Sequence, residues 1–344
     1  MSAESTRMRN YRLEPGRGLD GLTLQRREVP SPDRGQVLVR IHANALGYRD
    51  LLVLAGNYPL PITPGIVPGC EGVGEVVKVG ADVTRFATGD RVAATVFPRW
   101  VDGPFRRDAA AQLGTMIDGV LTEYAVLEEQ GLVRIPEYLS YQEAAALPLA
   151  AVTAWHALTA GAPLRPGQTV LTLGSGSVSL FSAQLAVAAG ARVIATTSSD
   201  VKADRLRKLG VDEVIDYRRT PDWYTAVREA TGGAGADRII DSAGPLWKSI
   251  RAAALGGEIA VIGYWLSGDE GAEPIDPELL FNTGAVLRRI ATGSRAHFEA
   301  LTQAITYHRL RPVIDRVFTF DQVPDALSYI ESGGGFGKVV ISHD

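Results

Sequence analysis

The sequence predicts an α/β protein in two parts, a doubly wound parallel sheet and a separate β-rich domain, on three observations. Between about Val170 and Ser294 short β-rich runs alternate with helical stretches, the pattern made by parallel strands joined through right-handed crossovers. Before that block the β-rich pieces are punctuated by Pro59, Pro61, Pro64, Pro68, Gly69, Gly72 and Gly80, which fits a small barrel-like domain with long loops. A chain of 344 residues also exceeds one compact core, at about 150 residues per domain.

In chain order, the expected strands of the first part are Val37–His42, Gly74–Val79, Arg91–Val96 and Leu121–Val126. The apolar window Ala144–Pro163 contains Pro148, Thr153, His156, Thr159 and Gly161, so it reads as a buried helix at a domain junction and not as a membrane span. The parallel sheet follows, with strands at Thr169–Leu173, Arg192–Thr196, Glu213–Asp216, Asp237–Asp241, Glu258–Ile262 and Leu287–Gly293. Helices are expected at Val178–Ala189, Lys202–Lys208, Trp223–Ala230, Trp247–Ala254 and Pro277–Thr283. The tail supplies a helix (Phe298–His308), a strand pair (Val313–Phe320 and Lys338–Ser342) and a short helix (Val323–Ile330), expected to pack back onto the first part.

Composition narrows the partner. With 35 basic and 39 acidic residues the net charge is −4, which gives no field to draw nucleic acid or an anionic membrane, so a small molecule is expected. Cys70 is the single cysteine and forms no intramolecular disulfide. The stretch Met1–Gly21 is polar and charged, unlike a secretory signal, and the expected location is the cytoplasm.

The most informative segment is Thr169-Val170-Leu171-Thr172-Leu173-Gly174-Ser175-Gly176-Ser177-Val178-Ser179. An apolar strand runs into a turn of small residues and then into an alanine-rich helix. Such a turn lets a pyrophosphate approach closely, with the helix's first-turn N–H groups and positive dipole end aimed at it. The third glycine of the usual string is Ser179 here, and an isolated string of this kind is equally an ordinary strand-to-helix turn; the alternating pattern around it supplies the context.

Six segments, in order, resemble the medium-chain dehydrogenase/reductase superfamily and its zinc-lacking, quinone-oxidoreductase-like branch. They are Ala45-Leu46-Gly47-Tyr48-Arg49-Asp50, Pro68-Gly69-Cys70-Glu71-Gly72-Val73-Gly74-Glu75-Val76, the run from Val83 to Val92, Ala146-Leu147-Pro148-Leu149-Ala150-Ala151-Val152-Thr153-Ala154, the glycine turn, and Phe336-Gly337-Lys338-Val339-Val340-Ile341. The resemblance covers nearly the whole chain. It implies a GroES-like β-rich catalytic domain, residues 1–149 and 295–344, built from both chain ends around a Rossmann dinucleotide-binding domain, residues 150–294, with the active site in the cleft between them.

In zinc-containing relatives the resemblance places metal ligands at the positions of Gly47, Cys70 and Leu149, of which only Cys70 can ligate, whereas a catalytic zinc needs three protein ligands. The segment Phe97–Asp118, where a structural zinc would sit, has no cysteine, and His42, His156, His297, His308 and His343 show no ligand spacing. No metal is therefore expected. Cys70 itself reads as a small buried thiol or, alternatively, as a redox or nucleophilic group.

The cofactor follows from the end of the second strand, where an NAD site places an acid. The tip here is Thr196-Thr197-Ser198-Ser199: Ser198 can donate a hydrogen bond and Lys202 can supply charge to a 2′-phosphate, which favours NADP(H). Asp200 is a ribose ligand or a helix N-terminal residue, and Lys202 a phosphate ligand or a solvated helix residue. By resemblance, further cofactor contacts are Gly174, Ser175, Gly176, Ser177 and Val178 in the turn, then Thr153, Tyr217, Arg218, Ser242, Gly263, Tyr264 and Lys338. Their alternatives are a hydroxyl bonded within its own helix for Thr153, turn positions for Ser242, Gly263 and Tyr264, and a surface lysine ending a glycine turn for Lys338.

Hydride transfer builds negative charge on an acceptor oxygen, and without zinc hydrogen-bond donors must stabilise it. Tyr48 is the first candidate, with an aromatic pocket wall as its alternative. Asp50 is a second candidate, unless it serves as an ion partner of Arg49. Relatives lacking the metal often carry asparagine at the position of Gly47, which here leaves a wider pocket. The expectation is a zinc-independent NADPH-dependent oxidoreductase acting on an activated C=C bond or a quinone, dimeric through the strand Leu287–Gly293. The alternatives are a metal-free ketone or aldehyde reductase of a biosynthetic pathway and a non-catalytic NADPH-binding protein.

Overall fold

The structure, a computed structural model, describes residues 7–242, 244–262 and 274–343. The chain divides into two compact units: one takes the residues up to Val152 and those from Gly293 onward, the other is Thr153–Thr292.

The first unit opens with an antiparallel hairpin, β1 (Arg7–Leu13) and β2 (Leu22–Glu28), a pair hidden from sequence reading by its many charges. In β1, arginines alternate with Met8, Asn10 and Leu13, which are buried together with Tyr11, so the period-two signal is present but short. Next come β3 (Gln36–Leu46), α1 (Tyr48–Leu54), β4 (Gly72–Val79), β5 (Arg91–Ala94), β6 (Tyr124–Glu128), β7 (Leu132–Arg134) and α2 (Tyr141–Ala145). The stretch Phe97–Asp118 is pinned by an aromatic cluster, Phe97, Trp100 and Phe105, with ring centroids 4.8 to 6.3 Å apart.

The apolar window from Ala144 is not one helix. After α2 the chain makes a wide π-type turn, Leu147–Ala151, with Pro148 at its start, and then re-enters α-helix as α3 (Val152–Thr159). Pro148 lacks the N–H an α-helix needs, and the wider turn accommodates it. Among the described residues no helix is long and apolar enough to cross a membrane.

The second unit alternates as expected: β8 (Thr169–Thr172), α4 (Ser177–Ala188), β9 (Arg192–Thr197), α5 (Asp200–Lys208), β10 (Glu213–Asp216), α6 (Trp223–Ala230), β11 (Ala236–Asp241), α7 (Leu246–Ala252), β12 (Ala253–Val261), α8 (Pro277–Thr283) and β13 (Val286–Arg289). The strands are parallel, in the order β10-β9-β8-β11-β12-β13. The order reverses between β8 and β11, and ligands of such Rossmann-like sheets bind outside the carboxyl ends at that switch point. β13 is shorter than Leu287–Gly293, and the chain turns at Thr292, whose φ is +41°.

The tail returns to the first unit as α9 (Arg295–His308), β14 (Ile314–Thr319), α10 (Val323–Glu331) and β15 (Lys338–Ser342). β15 pairs in parallel with β14 and antiparallel with β3, so the unit's sheet runs β14-β15-β3-β4-β5-β7, with β6 also paired to β3.

One buried arginine ties the second unit together. From β11, Arg238 reaches the carbonyls that end α3, donating to Ala157, Leu158 and Ala160 at 3.0 to 3.1 Å and to Ala162 at 2.5 Å. Those carbonyls have no intrahelical partner, and a cation also suits the negative end of the helix. Arg238→Met should lower stability by about 3 kcal/mol, as expected when a buried, hydrogen-bonded charge is removed, measured by urea unfolding; a loss below about 0.5 kcal/mol, the scale of a surface change, would refute this role.

Candidate functional site

The glycine turn sits at the carboxyl end of β8, as the sequence implies. Gly174 has φ +77°, a left-handed conformation that favours glycine, and its N–H donates to Thr196 Oγ1 at 3.0 Å. A side chain added at Gly174 or Gly176 would meet nothing within 4 Å, so the turn is open outward. Gly176 is the N-cap of α4 and brings no side chain to its first-turn N–H groups; Ser175, Ser177 and Val178 are partly exposed around them. Ser179, in place of the third glycine, binds the Leu173 carbonyl through its hydroxyl at 2.6 Å. Ser242 makes the same bond at 2.9 Å and lies 3.0 Å from Ser179. The hydroxyl of Ser242 thus fastens the turn to the end of β11, the turn-residue alternative for this position.

Beside the turn lies a cavity of about 380 Å³ lined by Gly174, Thr196, Tyr217, Trp223 and Lys248, among others. Ser198 is half-buried at the tip of β9, and the N-cap of α5 is Ser199, whose hydroxyl accepts the Lys202 N–H. The Lys202 ammonium carries no hydrogen bond or ion pair among the described residues. Asp200 opens α5 and is bound in bidentate fashion by Arg219 at 3.0 and 2.6 Å, with Asp216 3.5 Å from the same guanidinium. That hydrogen bond holds the Asp200 carboxyl below its usual range, so the helix-terminal alternative describes it. Sequence reading missed Arg219; its signal was the acid on either side of it, one at the end of β10 and one at the start of α5. Arg218 is exposed. Thr153 is buried near the start of α3, and Gly263 and Tyr264 lie outside the described residues.

The other candidates, Tyr48, Asp50 and Lys338, belong to the first unit. Tyr48 begins α1 and is 51% exposed. The two residues after it are buried: Arg49 donates to Gln112 Oε1 and the Leu113 carbonyl, both at 3.0 Å, and Asp50 accepts the Gly47 N–H at 2.8 Å and faces Arg49 at 3.4 Å. Asp50 therefore caps α1 and pairs with Arg49, the ion-partner alternative for this position.

Lys338 is neither a surface residue nor turned outward. Its side chain is 3% exposed and its ammonium is ion-paired with Glu71, itself 1% exposed. The pairing follows from register: Val339 lies opposite Leu46 and Asn44 opposite Gly72, so Lys338, Gly47 and Glu71 come to one end of three adjacent strands. The second oxygen of Glu71 accepts the Leu149 N–H at 3.1 Å. Burial pushes the Glu71 carboxyl up, and Lys338 pulls it back. Cys70 is also buried, and burial pushes its thiol up to about 12, against the pull of Arg49.

Comparison with known proteins gives two matching family models, the alcohol dehydrogenase GroES-like domain over residues 33–137 and the zinc-binding dehydrogenase over residues 177–306. The chain is 40% identical to a zinc-type alcohol dehydrogenase-like protein of Schizosaccharomyces pombe, covering 95% of this chain and 96% of that one. It is 31% identical to an NADPH-dependent alkenal/one oxidoreductase of Arabidopsis thaliana, over 94% of this chain and 76% of that one. A solved structure from Sinorhizobium meliloti 1021, described as an alcohol dehydrogenase, matches with TM-score 0.90 and 40% identity over 99% of both chains.

The zinc named in some of these relatives does not fit this donor set. Gly47 has no side chain and Leu149 offers an apolar one, so Cys70 is the single possible ligand of the three, whereas a catalytic zinc needs three protein ligands. Among the described residues no group of three or more histidines, cysteines or carboxylates could hold a metal ion. An ion pair, Glu71 with Lys338, fills the locus. Glu71→Leu should cost about 3–5 kcal/mol by leaving the ammonium buried alone, while Glu71→Leu combined with Lys338→Met should cost less than the single change. Urea unfolding of the two variants measures this, and additive losses would show that the groups do not interact.

Proposed function

The chain belongs to the medium-chain dehydrogenase/reductase superfamily, and from that premise we propose a zinc-independent, NADPH-dependent reductase of activated C=C bonds or quinones. The observation that carries the reading is the open glycine turn at the switch point of a parallel sheet, next to Ser198 at the tip of β9 and to Lys202 in the first turn of α5, whose ammonium has no partner among the described residues. Its support is the fit of that surface to a phosphorylated dinucleotide. N–H groups of the first turn of α4 would take the pyrophosphate, Tyr217 would flank the adenosine end, and Lys202 with Ser198 would take the 2′-phosphate. Asp200 is engaged by Arg219, which supports the phosphorylated cofactor over NAD. Bound there, the dihydronicotinamide supplies a hydride. Tyr48 is the exposed donor of the first unit, fixed by the buried Arg49 and Asp50 and able to hydrogen-bond an acceptor oxygen. The Arabidopsis relative, named for NADPH and for alkenals and enones, agrees with this substrate class.

The test is NADPH oxidation with benzalacetone and phenanthrenequinone by protein whose metal content is measured in parallel. The expected result is the saturated ketone from the enone, with zinc far below one ion per chain. An allylic alcohol as the product would move the assignment to a carbonyl reductase, and stoichiometric zinc would end the metal-free reading. Lys202→Ala should raise the Kd for NADPH about 10- to 100-fold, on the order of 1.5–3 kcal/mol for a charge-assisted hydrogen bond, and leave that for NADH nearly unchanged. Equal weakening of both cofactors in a fluorescence titration would overturn the phosphate assignment.

A further inference from the structure

We infer that Lys338 performs at this locus the task a metal would perform, donating a hydrogen bond from its ammonium to the acceptor oxygen of the substrate in the space left by Gly47. The inference rests on the reductase reading above. Four observations carry it. The Lys338 Nζ lies 3.2 Å from the point where a side chain on Gly47 would begin, and among the described residues beyond Gly47's own chain neighbours no other atom comes within 4 Å of that point. With no Cβ in the way, a substrate oxygen packed against the Gly47 Cα from that side takes a hydrogen bond from the ammonium. Gly47 has φ −155° and ψ −176°, extended backbone that any residue adopts, so nothing conformational calls for glycine here; what glycine supplies is room. The ammonium has three donors, and among the described residues Glu71 is its single ion-pair partner. Finally, Gly47 is partly exposed while the lysine beneath it is buried, so the charge is shielded from bulk water, where a fixed donor acts most strongly on developing charge.

For an enone the step balances as follows. A hydride from the nicotinamide, carrying two electrons, bonds to the β-carbon. The C=C electron pair shifts to become the enolate, with its charge on oxygen, and the α-carbon takes a proton from water. NADPH is oxidised, the enone is reduced to the saturated ketone, and Lys338 keeps its proton throughout, its role being electrostatic. Glu71 holds the ammonium in place through the ion pair and is itself fixed by the Leu149 N–H, which makes it a positioning residue.

The decisive variant is Gly47→Ala, which fills the space with a methyl group set against the Lys338 ammonium while keeping both members of the Glu71–Lys338 pair, alongside Lys338→Met and Lys338→Arg. Steady-state kinetics with NADPH and benzalacetone are read together with the NADPH Kd from fluorescence titration. The expected result is a fall in kcat of about 10-fold or more for Gly47→Ala and about 100-fold for Lys338→Met, the scale of a lost oxyanion donor, with partial recovery in Lys338→Arg and NADPH Kd within about 2-fold throughout. A wild-type kcat in Gly47→Ala overturns the inference. So does a Lys338→Met variant that loses NADPH affinity at unchanged kcat, which would return the lysine to a pyrophosphate contact. A wild-type protein that neither binds nor oxidises NADPH overturns the reductase reading and this inference with it; one that turns over while its variants do so equally well overturns the lysine assignment alone.

Discussion

The ion pair between Glu71 and Lys338 is the constraint on which this end of the first unit's sheet depends. It joins the residue preceding β4 to the first residue of β15, across β3, and both partners are withdrawn from water. Two charges in that position are tolerable only together, because either alone would face an uncompensated desolvation cost of several kcal/mol. The pair therefore fixes the register of the three strands at the end where Gly47, Cys70 and Leu149 converge. It also fills a locus whose donor set does not suit zinc. Around it the neighbouring polar groups are similarly committed: Arg49 to Gln112 and Leu113, Asp50 to the start of α1. Tyr48 stands out from this committed group as its one exposed member.

The second unit solves a different problem, keeping a backbone turn open at the end of a buried strand. Its turn is kept open by Gly174 and Gly176, and the side chains that brace it, Thr196, Ser179 and Ser242, are neutral and bonded to backbone. The substitution of Ser179 for a third glycine is accommodated because its hydroxyl satisfies the last carbonyl of the strand region, replacing a close backbone approach with a hydrogen bond. Positive charge is placed farther out, on Lys202 and Arg218, where it remains solvated at little cost.

Much of this was legible in the residues, and the failures have physical causes. The alternation from β8 to β13 and the glycine turn were readable because each depends on local signals, strand-length apolar runs and small residues at a sharp bend. The β1–β2 hairpin was not, since charged residues on its outer face mask a short buried stripe. The long apolar window was read as one helix because hydropathy does not register the local break at Pro148. The burial of Lys338 was not legible, as a side chain's direction depends on a strand register set by residues almost the whole chain apart. Asp50 and Ser242 illustrate the same limit: both carry suitable chemistry, and only the coordinates reveal that backbone groups already occupy it. Arg219 escaped because its partners lie on two different elements.

The adjacency of β15 and β3 also bears on how the chain reaches its folded form. The second unit is continuous in sequence, and its contacts close once a ribosome has delivered residues up to about Thr292. The first unit must wait, because the strand that carries Lys338 is made after the whole of the second unit, and until it docks, β3 presents an unsatisfied edge and Glu71 lacks its counter-ion. Contacts of such long sequence separation form slowly, so during synthesis the N-terminal sheet remains incomplete while the later-made module is already assembled, inverting the usual order in which domains mature from the amino end.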